Sequence, residues 1–345
     1  MKVKVFPLCA LAIAMSCAAH AQSTVTIYGV SDVFLGSIKN TGGTGPQGSA
    51  LAVNSGGLTT SFIGFRGDED LGSGLKAVFS LESYMRVDTG AIGRNDADPL
   101  WGRAANVGLD TPYGQVTLGR HVTPYSLAAT LTTPLKGTTT ISPIFAHTYR
   151  GNVQGDTRFN NSVRFTSKDI GGFRADVVYS LGREQPRGPE YKRDRAFDGS
   201  LRYEAGPVSL ITAMRTIDLN NNDDGHEQKS YMVGGIYDFK AVKLNAQYHY
   251  TDETFNLSSR DIQRKTFEVG AAIPAGGGEF LLSWATSDID HQRGAALSDK
   301  RDSYVVAYDY NLSKRTDVYA AFYSDKQKNP MIKQTIGAVG LRHKF

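Results

Sequence analysis

The 345-residue chain carries 38 basic and 34 acidic residues, a net charge of +4 with no basic tract, which argues against a nucleic-acid partner. Its mean hydropathy is −0.30, and no stretch beyond the N-terminus approaches about eighteen consecutive apolar residues, so no transmembrane helix is expected. Both cysteines, Cys9 and Cys17, lie near the N-terminus, which excludes disulfide staples and thiolate metal sites from the rest of the chain.

Residues 1–4 contain Lys2 and Lys4, residues 5–14 are largely apolar, and Ala19-His20-Ala21 offers a cleavage pattern of small residues. Residues 1–21 therefore read as a secretory signal peptide and residues 22–345 as one mature domain. A lipid anchor at Cys17 is disfavoured, because Ala14-Met15-Ser16 makes a poor lipobox. Without the two lysines, 36 basic residues face 34 acidic ones, a net charge of +2. The 37 glycines, 17 tyrosines and 16 phenylalanines are a heavy load for so polar a chain. An outer-membrane β-barrel accommodates them, because its strands are apolar on one face only and its aromatic residues gather at the two interfaces.

In chain order, strand-like runs fall at residues 25–38, 60–67, 75–86, 100–110 and 115–121, before a long irregular segment. They resume at 162–167, 173–181, 196–204, 208–217, 228–238, 242–251, 261–272, 279–288, 302–310, 317–324 and 333–345, sixteen in all. Alternation is clear in Leu244-Asn245-Ala246-Gln247-Tyr248-His249-Tyr250, where even positions are apolar and odd ones polar. Period two alone would also suit a soluble sandwich. Connection lengths supply the direction: the turns at 68–74, 111–114, 168–172, 205–207, 239–241, 273–278 and 311–316 are short, whereas 39–59, 87–99, 182–195, 218–227 and 289–301 are longer and more polar. Such alternation predicts an all-β fold, a sixteen-stranded antiparallel transmembrane β-barrel with tight periplasmic turns and long external loops. Closure of the first strand on the last removes the unpaired edges that lipid would not tolerate.

The interruption at 121–160 is threonine-rich, contains three prolines and has no alternating apolar run. A loop this long inside a compact fold is usually functional. We expect residues 122–160 to fold into the barrel and narrow its channel.

Several segments resemble the trimeric general porins of Gram-negative bacteria, in their beta-proteobacterial branch. Residues 65–82 (FRGDEDLGSGLKAVFSLE) resemble that family's second hairpin. Val107-Gly108-Leu109, Tyr113-Gly114, Thr117-Leu118-Gly119-Arg120, Asn161-Ser162-Val163-Arg164-Phe165 and the ending Gly340-Leu341-Arg342-His343-Lys344-Phe345 continue the match in the right order. The resemblance implies a homotrimer in outer-membrane lipid and lipopolysaccharide, passive diffusion of small hydrophilic solutes and inorganic anions, and a third external loop that forms the constriction. It implies no cofactor. Phe345 resembles the terminal signal read by the barrel-assembly machinery.

Strand parity nominates the pore residues. Ile63 and Phe65 outward put Arg66 in the lumen, Phe79 and Leu81 put Glu82 there, and Val163 and Phe165 put Arg164 there. Arg103 matches a family pore arginine by position, although Ala105, Val107 and Leu109 give it outward parity. Phe62 stands where some relatives are basic. Arg120 has outward parity beside Leu118 and suggests a subunit contact. Between residues 122 and 160 the only acid is Asp156, against Lys136, Arg150 and Arg158, so the constriction is expected to favour anions. Competing features carry less. Arg66-Gly67-Asp68 reads as a strand end, and residues 220–225 mimic a calcium loop whose twelfth position would be Tyr231. A barrel enzyme of the outer-membrane phospholipase kind would need a serine partnered by His147 or His249 at the lipid interface, and no nucleophile motif supports one. A substrate-specific channel is the nearer alternative.

Overall fold

Period-two alternation organises most of the chain into strands. The structure, a computed structural model, describes residues 24–42, 47–135, 137–149, 157–182, 195–218, 226–254, 261–291, 299–329 and 331–345. Its strands are β1 (Thr24–Thr41), β2 (Gly48–Ser55), β3 (Phe62–Gly72), β4 (Leu75–Tyr84), β5 (Ala104–Thr111), β6 (Gly114–Val122), β7 (Arg158–Ser167), β8 (Phe173–Ser180) and β9 (Ala196–Ala205). They continue as β10 (Val208–Asp218), β11 (Glu227–Asp238), β12 (Lys243–Thr254), β13 (Ile262–Ala275), β14 (Gly278–His291), β15 (Asp299–Asn311), β16 (Thr316–Gln327) and β17 (Ile332–Lys344). Each pairs antiparallel with its neighbour, and β1 pairs with β17 from Val30↔Lys344 to Thr41↔Lys333, closing the barrel. β2 and β3 pair with successive halves of β1, so together they fill one position of a sixteen-strand barrel.

Closure turns the usual burial pattern inside out. On β12 the apolar Leu244 and Tyr248 are 45% and 41% exposed on the outer wall, while Gln247 and His249 are buried inside. The short-turn end is made of tight hairpins. Between β13 and β14, Gly276 and Gly277 both take positive φ (57° and 87°), as a two-residue turn matched to strand twist requires.

Two features depart from the expected strand map. Residues 39–59 are not simply a loop, because β1 runs on to Thr41 and β2 returns alongside it. The chain then bulges inward at residues 56–61, and buried Asp32 holds the bulge: its carboxylate accepts from the amides of Gly57 (3.0 Å), Leu58 (3.0 Å) and Thr59 (2.7 Å) and from the Tyr319 hydroxyl (2.6 Å). Gly57 passes so close to Tyr319 that a β-carbon there would lie 2.0 Å from the hydroxyl oxygen.

The second departure is helical. The inward segment between β6 and β7 contains α1 (Pro124–Leu131) and α2 (Pro143–Tyr149). Thr123 caps α1, its hydroxyl accepting from the Ser126 amide, and Ser142 does the same for Phe145. Proline at the first helical position completes a recognised start signal in both cases. α1 buries Tyr125, Ala128 and Ala129 against Ile211, Ala213 and Met232 of the wall. The segment between the helices drives Leu135 and Ile141 into a cluster with Leu58, Leu281, Val305, Tyr323 and Ile336. Each fully buried aliphatic side chain stabilises this docking by about 1.5–3 kcal/mol. The barrel therefore has an apolar core inside it, on one side.

Candidate functional site

The docked segment divides the interior unequally. Inward residues of β11–β15 such as Gln228, Ser230, Gln247, His249, Glu268 and Ser303 are at most 2% exposed beneath it. Inward residues of β4–β7, among them Ser80, Glu82, Asn106, Gln115 and Arg164, stay half-buried and line a cavity of about 360 Å³. Across that cavity stand Ser126, Leu127, Thr130, Gly137, Thr139 and Phe145 of the inward segment. Ser80, Asn106 and Gln115 also line a second cavity of about 500 Å³ toward the short-turn end, which makes the two stretches one path.

Three of the sequence-nominated residues meet at the first cavity. Glu82 accepts from the Tyr28 hydroxyl and forms an ion pair with Arg103. The Arg103 guanidinium lies 3.7 Å from the centre of the Phe62 ring. Arg164 grips Asp176 through two parallel hydrogen bonds of 2.8 and 2.5 Å, a bidentate geometry that fixes its direction. Arg66 sits one same-face step nearer the short-turn end, where Arg66 pairs with Ser80 and Gly64 with Glu82. It lies over Tyr28 at 4.8 Å and lines the second cavity. Lys136 and Asp156 fall outside the described residues, as do Arg150 and residues 220–225.

Parity misdirects at Arg103. Outward alternation holds from Ala105, which pairs with Arg120 on the outer wall, but β5 begins only at Ala104, whose partner is Glu82. Arg103 precedes the strand in a bend after Gly102, and its amide donates to the Glu82 carbonyl at 3.2 Å. That bend turns its side chain inward. Arg120 does face outward, donating to the Gly102 carbonyl at 2.8 Å and to Asn160. Phe345 caps the barrel seam, exchanging backbone hydrogen bonds with Gly29 of 3.0 and 3.1 Å.

Sequence reasoning missed much of the site's aromatic content. Tyr84, 3% exposed, has Arg94 and Arg158 each 5.0 Å from its ring centre and Arg103 at 6.0 Å. Arg158 opens β7, donates to the Arg103 carbonyl at 3.2 Å and lines the cavity. Phe145 and Tyr149 are the half-exposed rings of α2, whose other side chains are buried. The pairing of Thr or Ser with Pro at 123–124 and 142–143 was the available signal for the two helices.

Charge is sorted across the segment. At the cavity, Arg103, Arg158 and Arg164 face Glu82 and, behind Arg164, Asp176, which leaves one net positive charge before Arg66 is counted. Many acids lie sequestered elsewhere: Asp198 takes the Tyr125 amide (2.7 Å), Glu268 takes Thr133 and Ser283, and Asp325 takes Arg301. His147 bonds to Ser287 and, at 2.9 Å, to Ser303, while His249 meets the Tyr125 hydroxyl at 2.7 Å. Burial pushes the His147 pKa down to about 3, and neighbouring Arg301 pushes the same way, so this imidazole is neutral at physiological pH. Both histidines are buried inside the barrel, away from its outer wall, which removes the geometry an interfacial hydrolase would need.

Comparison with known proteins places this arrangement. A sequence model described as Gram-negative porin matches residues 8–330. Outer membrane porin protein 32 of Delftia acidovorans is 31% identical, with 98% of this chain and 99% of that protein covered. An outer membrane porin protein of Bordetella pertussis is 27% identical over 95% and 96% of the two chains. Among solved structures, the anion-selective porin from Comamonas acidovorans superposes with a TM-score of 0.81 at 27% identity, covering 94% of this chain and 100% of that one.

Proposed function

The chain belongs to the Gram-negative porin family and forms an outer-membrane diffusion channel, not an enzyme; from that premise we propose that its bore prefers anions. The observation that carries the preference is the charge sorting: three guanidiniums line the open cavity, while buried carboxylates are engaged by the docked segment on the other side. In a narrow water-filled constriction the local fixed charge governs which ions enter, because its field is poorly screened by bulk water. Arg66, Glu82, Arg103 and Arg164, nominated as pore residues from sequence, fit this reading, and Arg158 joins them at the cavity. Replacing chloride by gluconate in planar bilayers, at constant potassium, should cut single-channel conductance by more than half. Replacing potassium by Tris at constant chloride should cut it much less. The opposite ranking would refute the preference.

We further propose a homotrimer that buries the outer face of β1–β6. Exposed large side chains on those strands are aliphatic, including Val25, Ile27, Leu35, Val53, Val107 and Leu118. From β7 onward the outer wall exposes rings, among them Phe165, Tyr179, Tyr248, Phe267, Trp284 and Phe322. Aromatic residues mark the lipid interfaces of such barrels, and the outward rings of β1–β6, Phe65 and Phe79, are partly buried, which suits a face covered by protein. Arg120 stands at the edge of that face. Purified protein should migrate as an SDS-resistant oligomer that becomes monomeric on boiling, and a monomer under every mild extraction would contradict the trimer.

A further inference from the structure

The cavity is two-faced in a way that charge preference alone does not use. One wall presents Arg103 and Arg158 in front of the Tyr84 ring, with Phe62 under Arg103. The other lining, supplied by the inward segment, presents Phe145 and Leu127. Phe145 is held there by its helix, because Ile144, Ala146 and His147 on either side of it are buried against the wall. A volume of about 360 Å³ falls within the range of small-molecule sites, roughly 300–1,000 Å³. A ring opposite a pair of guanidiniums matches a solute that carries a flat apolar body and one carboxylate. Guanidiniums bind carboxylates through paired donors and also stack on aromatic planes. A ring–ring contact at Phe145 adds to what burial alone supplies.

We infer that the bore selects aromatic carboxylates of the benzoate type, held between the Arg103–Arg158 face and the Phe145 ring. The inference rests on the anion preference proposed above, and goes beyond it by naming the solute class. A bore that distinguished anions only by charge and hydrated size would treat a ring and its saturated analogue alike once thickness is allowed for.

The test uses the full-length channel in planar bilayers under bi-ionic conditions, with chloride on one side and benzoate or cyclohexanecarboxylate on the other. Permeability to benzoate, normalised to chloride, should exceed that to cyclohexanecarboxylate at least threefold. Phe145→Leu should bring the ratio to about one, although the shorter side chain widens the bore, and Phe145→Tyr should preserve it. A wild-type ratio near one overturns the inference while leaving the chloride preference standing. A ratio that survives Phe145→Leu also overturns it, since thickness alone would then account for the discrimination. Loss of chloride preference over potassium in the wild type overturns the anion reading and this inference together.

Discussion

The Arg103→Glu/Arg158→Glu channel is expected to prefer cations. The double substitution turns one net positive charge at the cavity into three net negative ones, because Glu82 and Asp176 remain. A unit charge about 6 Å from a passing ion is worth about 0.7 kcal/mol in bulk water and about 3 kcal/mol at an effective dielectric near 20. Since about 1.4 kcal/mol is tenfold in an equilibrium, reversing two such charges shifts the anion-to-cation ratio by at least tenfold. The effect should shrink as salt rises, following a screening length of about 30 Å at 0.01 M and about 3 Å at 1 M. Reversal potentials measured at 0.01–0.1 M check this. A mutant that keeps an anion preference at low salt would remove Arg103 and Arg158 from the selective level of the bore.

Asp32→Ala should loosen the constriction from behind. Its carboxylate satisfies three backbone amides and the Tyr319 hydroxyl, and each buried donor left without a partner costs about 1–3 kcal/mol. The bulge it holds is also where the inward segment is tied down. The Thr60 amide donates to the Gly137 carbonyl at 3.0 Å, and the Thr138 hydroxyl donates to the Gly57 carbonyl at 2.6 Å. Releasing the bulge therefore frees the tip of the segment without touching a charge at the cavity. Single-channel records should show a larger conductance and frequent brief closures, with anion preference retained. Asp32→Asn, which keeps the shape and part of the accepting capacity, should fall between wild type and alanine. Unchanged conductance and noise in Asp32→Ala would show that the segment is held by its apolar contacts alone.

How far the sequence discloses this molecule depends on the range of the contacts involved. Strand parity is local, and it was enough to count sixteen barrel positions and to aim Arg66, Glu82 and Arg164 inward. It failed at Arg103 because the bend at Gly102 resets the alternation one residue before β5 begins. The bulge at 56–61 was invisible for a different reason: Asp32 and Tyr319, which fix it, lie 287 residues apart in the chain. In β14–β17 the pattern is blurred by function itself. Val305, Ala307, Ile336 and Ala338 face inward yet are apolar, because the docked segment gives them a core to pack against. The inward segment was legible as an interruption, but not as two capped helices. Its threonines and prolines read as loop chemistry until Thr123 and Ser142 are seen capping the residues that follow.

The zero-current potential of the wild-type channel across a tenfold KCl gradient reads the anion preference of the bore most directly. The expected potential has the sign set by chloride crossing faster than potassium, and is larger when both solutions are diluted tenfold. A potential of the opposite sign would contradict it, and would mean that carboxylates outside the Arg103, Arg158 and Arg164 cluster control the bore.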